Sequence, residues 1–97
     1  MVPLEKILLT PHARQRMLER RIRLAEIQAV LSYGKCIEEY PTDVPYPSRL
    51  LCYGVGGRAL HVVCAMNHDE DCEIIITVYE PDPTRWVSPA FEERGAS

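Results

Sequence analysis

Among the side chains able to do chemistry, His12 and His61 come first, because an imidazole titrates near neutral pH and serves as acid or base. Arg16 stands four residues after His12, one helical turn on, so guanidinium and imidazole can aim at a single point. The planar guanidinium grips phosphate with two parallel hydrogen bonds. Glu19 continues the same row, Arg20 and Arg23 prolong the basic run, and Tyr79 offers an aromatic hydroxyl that can stack on a base or donate a bond. A base, an acid and a cation are what cleavage of a phosphodiester requires in the absence of a metal. Each residue also has a plainer reading. His12 suits a helix start, Arg16 and Glu19 suit a solvated ion pair, His61 suits a hydrogen-bonded place in the core, and Tyr79 suits any strand.

Cys36, Cys52, Cys64 and Cys72 are separated by 15, 11 and 7 residues. None of these gaps is the close pair that structural zinc sites use, so free thiols are expected. His61, Cys52, His68, Asp69 and Asp71 are metal-ligating types, but Asp69-Glu70-Asp71 lacks the spacing of a calcium loop. The expectation is no metal and no cofactor.

Positioning these residues falls to two helices and a sheet. Thr10-Pro11 reads as a helix start, with a capping hydroxyl and a proline suited to the first turn, and the helix runs to about Arg20 with Ala13 and Met17 facing inward. After a short Arg21-Ile22-Arg23 link, a second helix spans Leu24 to Tyr33 with Leu24, Ile27, Val30 and Leu31 on one face. Gly34 is expected to end it in a left-handed conformation. Strands follow at Cys36–Tyr40, Arg49–Val55, Arg58–Asn67 and Cys72–Tyr79, and prolines 41, 45 and 47 make the first connection a loop. The fold class is therefore α+β, two N-terminal helices followed by a four-stranded antiparallel sheet. It forms a single domain over residues 1–97, with 1–9 as an arm or short strand and 87–97 as a C-terminal tail, which Trp86, Val87 and Phe91 are expected to anchor against the body.

Gly56-Gly57 between two apolar runs is a two-residue hairpin turn, which places Val55 opposite Arg58, Cys52 opposite His61, Tyr53 opposite Leu60 and Leu50 opposite Val63. Leu51, Tyr53, Leu60, Val62 and Cys64 then share one face, expected to meet the helices. Leu50, Cys52, His61, Val63 and Ala65 share the other, available for a loop, the tail or another chain.

Residues 1–35 carry seven basic against three acidic side chains, a net +4, whereas residues 36–97 carry four against eleven, a net −7, for a total of −3. A basic helical segment on an acidic body attracts polyanions locally. No run approaches the roughly 20 apolar residues a membrane helix needs, and the N-terminus lacks a signal-peptide pattern, so a cytoplasmic protein is expected.

Thr10-Pro11-His12-Ala13-Arg14-Gln15-Arg16-Met17-Leu18-Glu19-Arg20-Arg21-Ile22, Gly57-Arg58-Ala59-Leu60-His61-Val62-Val63 and Ile75-Ile76-Thr77-Val78-Tyr79-Glu80-Pro81-Asp82-Pro83 with Trp86 resemble, in order, the motifs of a bacterial family of unknown function, domain family 4258. The helix–helix–sheet order is similar to RelE-like toxin ribonucleases and to barnase-like nucleases. The resemblance implies an endoribonuclease acting on RNA without a metal. In it His12, Arg16, Glu19 and His61 are catalytic, Arg20, Arg23 and Tyr79 bind substrate, and an antitoxin-like protein is a partner. The competing expectation is a noncatalytic binding or regulatory module that forms a homodimer through its second sheet face.

Overall fold

The computed structural model describes residues 1–55 and 57–82, together with the backbone of 86–87 and 93–94. A single 3-10 turn, Leu4–Lys6, leads into β1 (Ile7–Leu9), α1 (Pro11–Arg20) and α2 (Leu24–Tyr33). Strands β2 (Lys35–Tyr40), β3 (Ser48–Val55), β4 (Arg58–Asn67) and β5 (Cys72–Tyr79) follow, and β6 (Trp86–Val87) pairs with β7 (Glu93–Arg94) in a separate two-stranded ribbon. The side chains of Trp86, Val87 and Phe91 lie outside the described residues.

The main sheet has five strands in the order β1-β5-β4-β3-β2, and it is mixed, not four-stranded and antiparallel. The β2–β5 meander is antiparallel throughout, while β1 joins β5 in parallel, with Leu8 opposite Ile74. The long connection that a parallel neighbour demands runs from β1 through both helices and strands β2, β3 and β4 before the chain returns as β5. The three-residue β1 is too short to show an apolar period, so only the fold places it.

The hairpin register is the one expected, from Val55–Arg58 through Cys52–His61 to Leu50–Val63. Leu51, Leu60, Val62 and Cys64 face the helices and pack with Ala13, Ile22, Ile27, Val30, Ile75 and Val78, Tyr53 lying against them. Ile22, read as a link residue, is 4% exposed and plugs the corner between the helices. Two bulges perturb the sheet. Ile37 is the extra residue in β2, and Ile76 is the extra residue in β5, where Val63 faces Thr77 but Cys64 faces Ile75.

Thr10 caps α1 as expected, its Oγ1 accepting from the Ala13 amide at 3.1 Å. The same hydroxyl donates to the bulge carbonyls of Ile75 and Ile76, at 2.9 and 3.0 Å. The helix start is thereby tied to the one place in β5 where ladder bonding is interrupted. The expected left-handed stop at Gly34 is absent. Gly34 is extended (φ −69°, ψ 156°), and glycine is needed because a Cβ would collide with the Val30 carbonyl oxygen and press on that of Cys52. The helix that ends left-handed is α1 instead, at Arg21, φ 53°.

Candidate functional site

The corner between α1 and α2 gathers guanidinium groups by chain geometry alone. Arg20 closes α1, Arg21 turns the chain in the left-handed region, Ile22 drives into the core, and Arg23 opens α2. With Ile22 buried, Arg20, Arg21 and Arg23 are left exposed around it. Arg23 is an unusual helix-start residue because it has no side-chain acceptor. Glu26 compensates by reaching back to accept the Arg23 amide at 2.9 Å.

Arg58, the first residue of β4, holds this corner together. One terminal nitrogen donates to the Arg20 carbonyl (3.1 Å) and Glu80 Oε1 (2.8 Å). The other donates to the Arg21 carbonyl (3.0 Å) and to both Glu26 oxygens (3.1 and 3.0 Å). A cation at the last carbonyls of α1 also answers the negative end of the helix dipole. Burial pushes the Glu26 carboxyl up, but the Arg23 amide and the Arg58 guanidinium outweigh it and hold Glu26 below the usual carboxylate range. Arg58 is raised in turn, chiefly by its hydrogen bond to Glu26. An open cleft of about 460 Å³ lies here, lined by Arg21, Arg23, Ala25, Glu26, Val55 and Arg58.

The residues expected to be catalytic do not converge. His12 is exposed at the second position of α1, and Arg16 is half-buried on the same helix, 3.9 Å from Glu19. α1 packs on β5 and α2 on β3 and β4, all on the Leu51–Leu60–Val62 face. His61 points to the opposite face and is fully buried. Its Nδ1 lies 3.4 Å from the Tyr79 hydroxyl, with ring centroids 5.3 Å apart. The sheet therefore separates His61 and Tyr79 from His12, Arg16 and Glu19. A two-residue hairpin register fixes which face His61 takes but not which face the first helix's polar stripe adjoins, and this is why the sequence brought them together. On the second face Leu50, Cys52, His61 and Ala65 are each at most 3% exposed, whereas Val63 is half-buried.

Among the described residues, no cluster of three or more His, Cys, Asp or Glu has the arrangement to hold a metal. Cys52 and His61 are cross-strand neighbours, whereas Asp69 and Glu70 donate their amides to Asn67 Oδ1 in a turn, and Asp71 pairs with Lys6 at 3.2 Å.

Sequence reasoning missed the pair between Arg49 and Glu73, 2.6 Å apart across β4, with Glu73 buried. Arg49 is raised: burial would lower it, but the Glu73 hydrogen bond prevails. Burial also pushes the neighbouring Cys64 thiol up to about 12, so it stays protonated and unreactive. The signal was unreadable because Glu73 reaches that face only through the Ile76 bulge.

Residues 9–80 match the family described as Domain of unknown function (DUF4258). The chain belongs to that family. Neither a curated protein nor a solved structure matches it. DUF4258 membership carries no activity with it, so function rests on the geometry. No helix among the described residues is long and apolar enough to cross a membrane.

Proposed function

We propose that this DUF4258 chain is an RNA-binding domain that holds the phosphate backbone on the arginine surface of α1 and the α1–α2 corner. The observation that carries the reading is a sorting of the arginines. On the acidic sheet, both terminal nitrogens of Arg58 are taken by Glu26, Glu80 and backbone carbonyls, and Arg49 is paired through one terminal nitrogen with Glu73. Arg14, Arg20, Arg21 and Arg23 form no ion pair among the described residues, and Arg16 has only the 3.9 Å approach of Glu19. Unpaired guanidiniums on a rigid corner suit phosphate, whose counterions they displace. The acidic remainder of the chain limits contact to this surface, which fits a local grip better than a general one.

RelE-like cleavage by His12 with His61 is not part of the proposal, because a fully buried imidazole across the sheet reaches no phosphate held on α1. Homodimerisation through the second sheet face is not part of the proposal either, since Leu50, Cys52, His61 and Ala65 at its centre are buried within the chain.

The test is fluorescence anisotropy with a labelled mixed-sequence single-stranded RNA between 50 and 200 mM salt. Three phosphate contacts give a log–log salt slope of about −2. Arg20→Gln, Arg21→Gln and Arg23→Gln together leave the carbonyls that hold Arg58 in place and should weaken binding about tenfold or more, with the slope shallower by about 2. A wild-type protein that binds no better than this triple variant overturns the proposal.

A further inference from the structure

A second cleft opens at the far end of the same strands, six residues along β3 from the corner, about 20 Å away at strand rise. It has a volume of about 340 Å³, and its walls are mainly apolar: Pro41, Pro47, Met66 and the Tyr46 ring. Arg49 and His68 also line it, with Glu39. The Pro-rich loop sets Tyr46 here, and the start of β3 brings Arg49 beside it.

Arg49 is more than a partner for Glu73. Only one of its terminal nitrogens is engaged, and among the described residues its Nε and other terminal nitrogen make no bond. Its side chain is 32% exposed, and that of Glu73 is 8% exposed. A buried carboxylate thus holds one terminal nitrogen of the guanidinium through a single oxygen, and the residue carrying the other donors stands in the wall of an apolar cleft. An arginine already tethered at one nitrogen has less freedom left to lose on taking a second anion. The neighbouring aromatic ring, prolines and thioether select a flat apolar body.

We propose that this cleft binds a small aromatic carboxylate, its carboxylate on the free edge of Arg49 and its ring against Tyr46. The volume lies at the small end of the range for ligand pockets, which suits a compact molecule better than a chain segment. Glu39 works against the anion and sets a ceiling on affinity. The site is independent of the arginine corner.

The test is a two-dimensional amide NMR titration with indole-3-acetate and, separately, with the neutral indole-3-acetamide. Saturable shifts at Tyr46, Arg49, Met66 and His68 are expected with the acid, and at least tenfold weaker binding with the amide. Tyr46→Ala should weaken the acid about tenfold while leaving the Arg49–Glu73 pair intact, and Glu39→Gln should tighten it. Equal affinity for acid and amide overturns the role of Arg49. The absence of saturable shifts at these four residues, or shifts unchanged by Tyr46→Ala, overturns the site.

Discussion

Replacing Arg58 with Met tests whether one side chain joins both helices to the sheet. The substitution keeps an unbranched apolar stem and deletes five polar contacts, two to α1 carbonyls and three to carboxylate oxygens. These contacts are unequal. Glu80 is 48% exposed, so that pair contributes at most about 0.5 kcal/mol. The carbonyls of Arg20 and Arg21 are solvent-facing and turn to water at a cost of about 0.5 kcal/mol together. Glu26 is 16% exposed and loses a two-oxygen charged partner, at about 1.5–2 kcal/mol. The expected loss is about 2–3 kcal/mol, which in a chain of this length lowers Tm by roughly 10–20 °C. Urea denaturation at pH 7 measures it. Arg58→Lys, with one donor point, should lose about half as much. Because the Glu26 carboxyl sits below its ordinary value, the stabilisation is present above pH 4.5 and disappears as pH falls through the depressed value. The gap between wild type and Arg58→Met should close over that acid range. A loss under about 0.5 kcal/mol at pH 7, or a gap that does not change with acid, would refute the reasoning.

Cys64 makes stability fall at alkaline pH. Its thiol rises from 9.0 to about 12 in the folded chain, so only the unfolded chain releases the proton in between, and up to about 4 kcal/mol is lost across that window. Denaturation from pH 8 to 11 should therefore show a steeper decline for wild type than for Cys64→Ala. Gly34→Ala should destabilise by about 2 kcal/mol or more, read as a shift in the urea midpoint, because the obstructing atoms are backbone oxygens of Val30 and Cys52. Thr10→Val removes the cap and both bulge bonds at nearly constant volume and should cost about 1–2 kcal/mol in the same assay.

What the sequence disclosed follows the range over which each signal acts. Thr10-Pro11, the 3.6 period of Ala13 and Met17, and the turn after Val55 are local, and the helix bounds, the hairpin register and the helix-facing set all agree with them. The parallel β1, the Ile76 bulge and the Arg49–Glu73 pair depend on which distant backbone lies alongside, and no period of two or 3.6 encodes that. Gly34 and Arg21 show a subtler limit. Glycine is favoured at left-handed helix ends, yet here crowding demands it in an extended conformation, and an arginine accepts the left-handed turn because Ile22 gains full burial by it. For the candidate site, the basic run was legible as composition. Its division into spent and unspent arginines was not, since that depends on Glu26 and Glu80 meeting Arg58.

Thr10 fastens the beginning of α1 to β5, and Arg58 fastens its end from β4. A rod riveted at both tips to adjoining strands cannot tilt or slide by itself, so the guanidiniums along it keep a constant spacing. Whatever polyanion docks there must bend to suit the protein, and hydrogen exchange along the helix should track opening of the sheet.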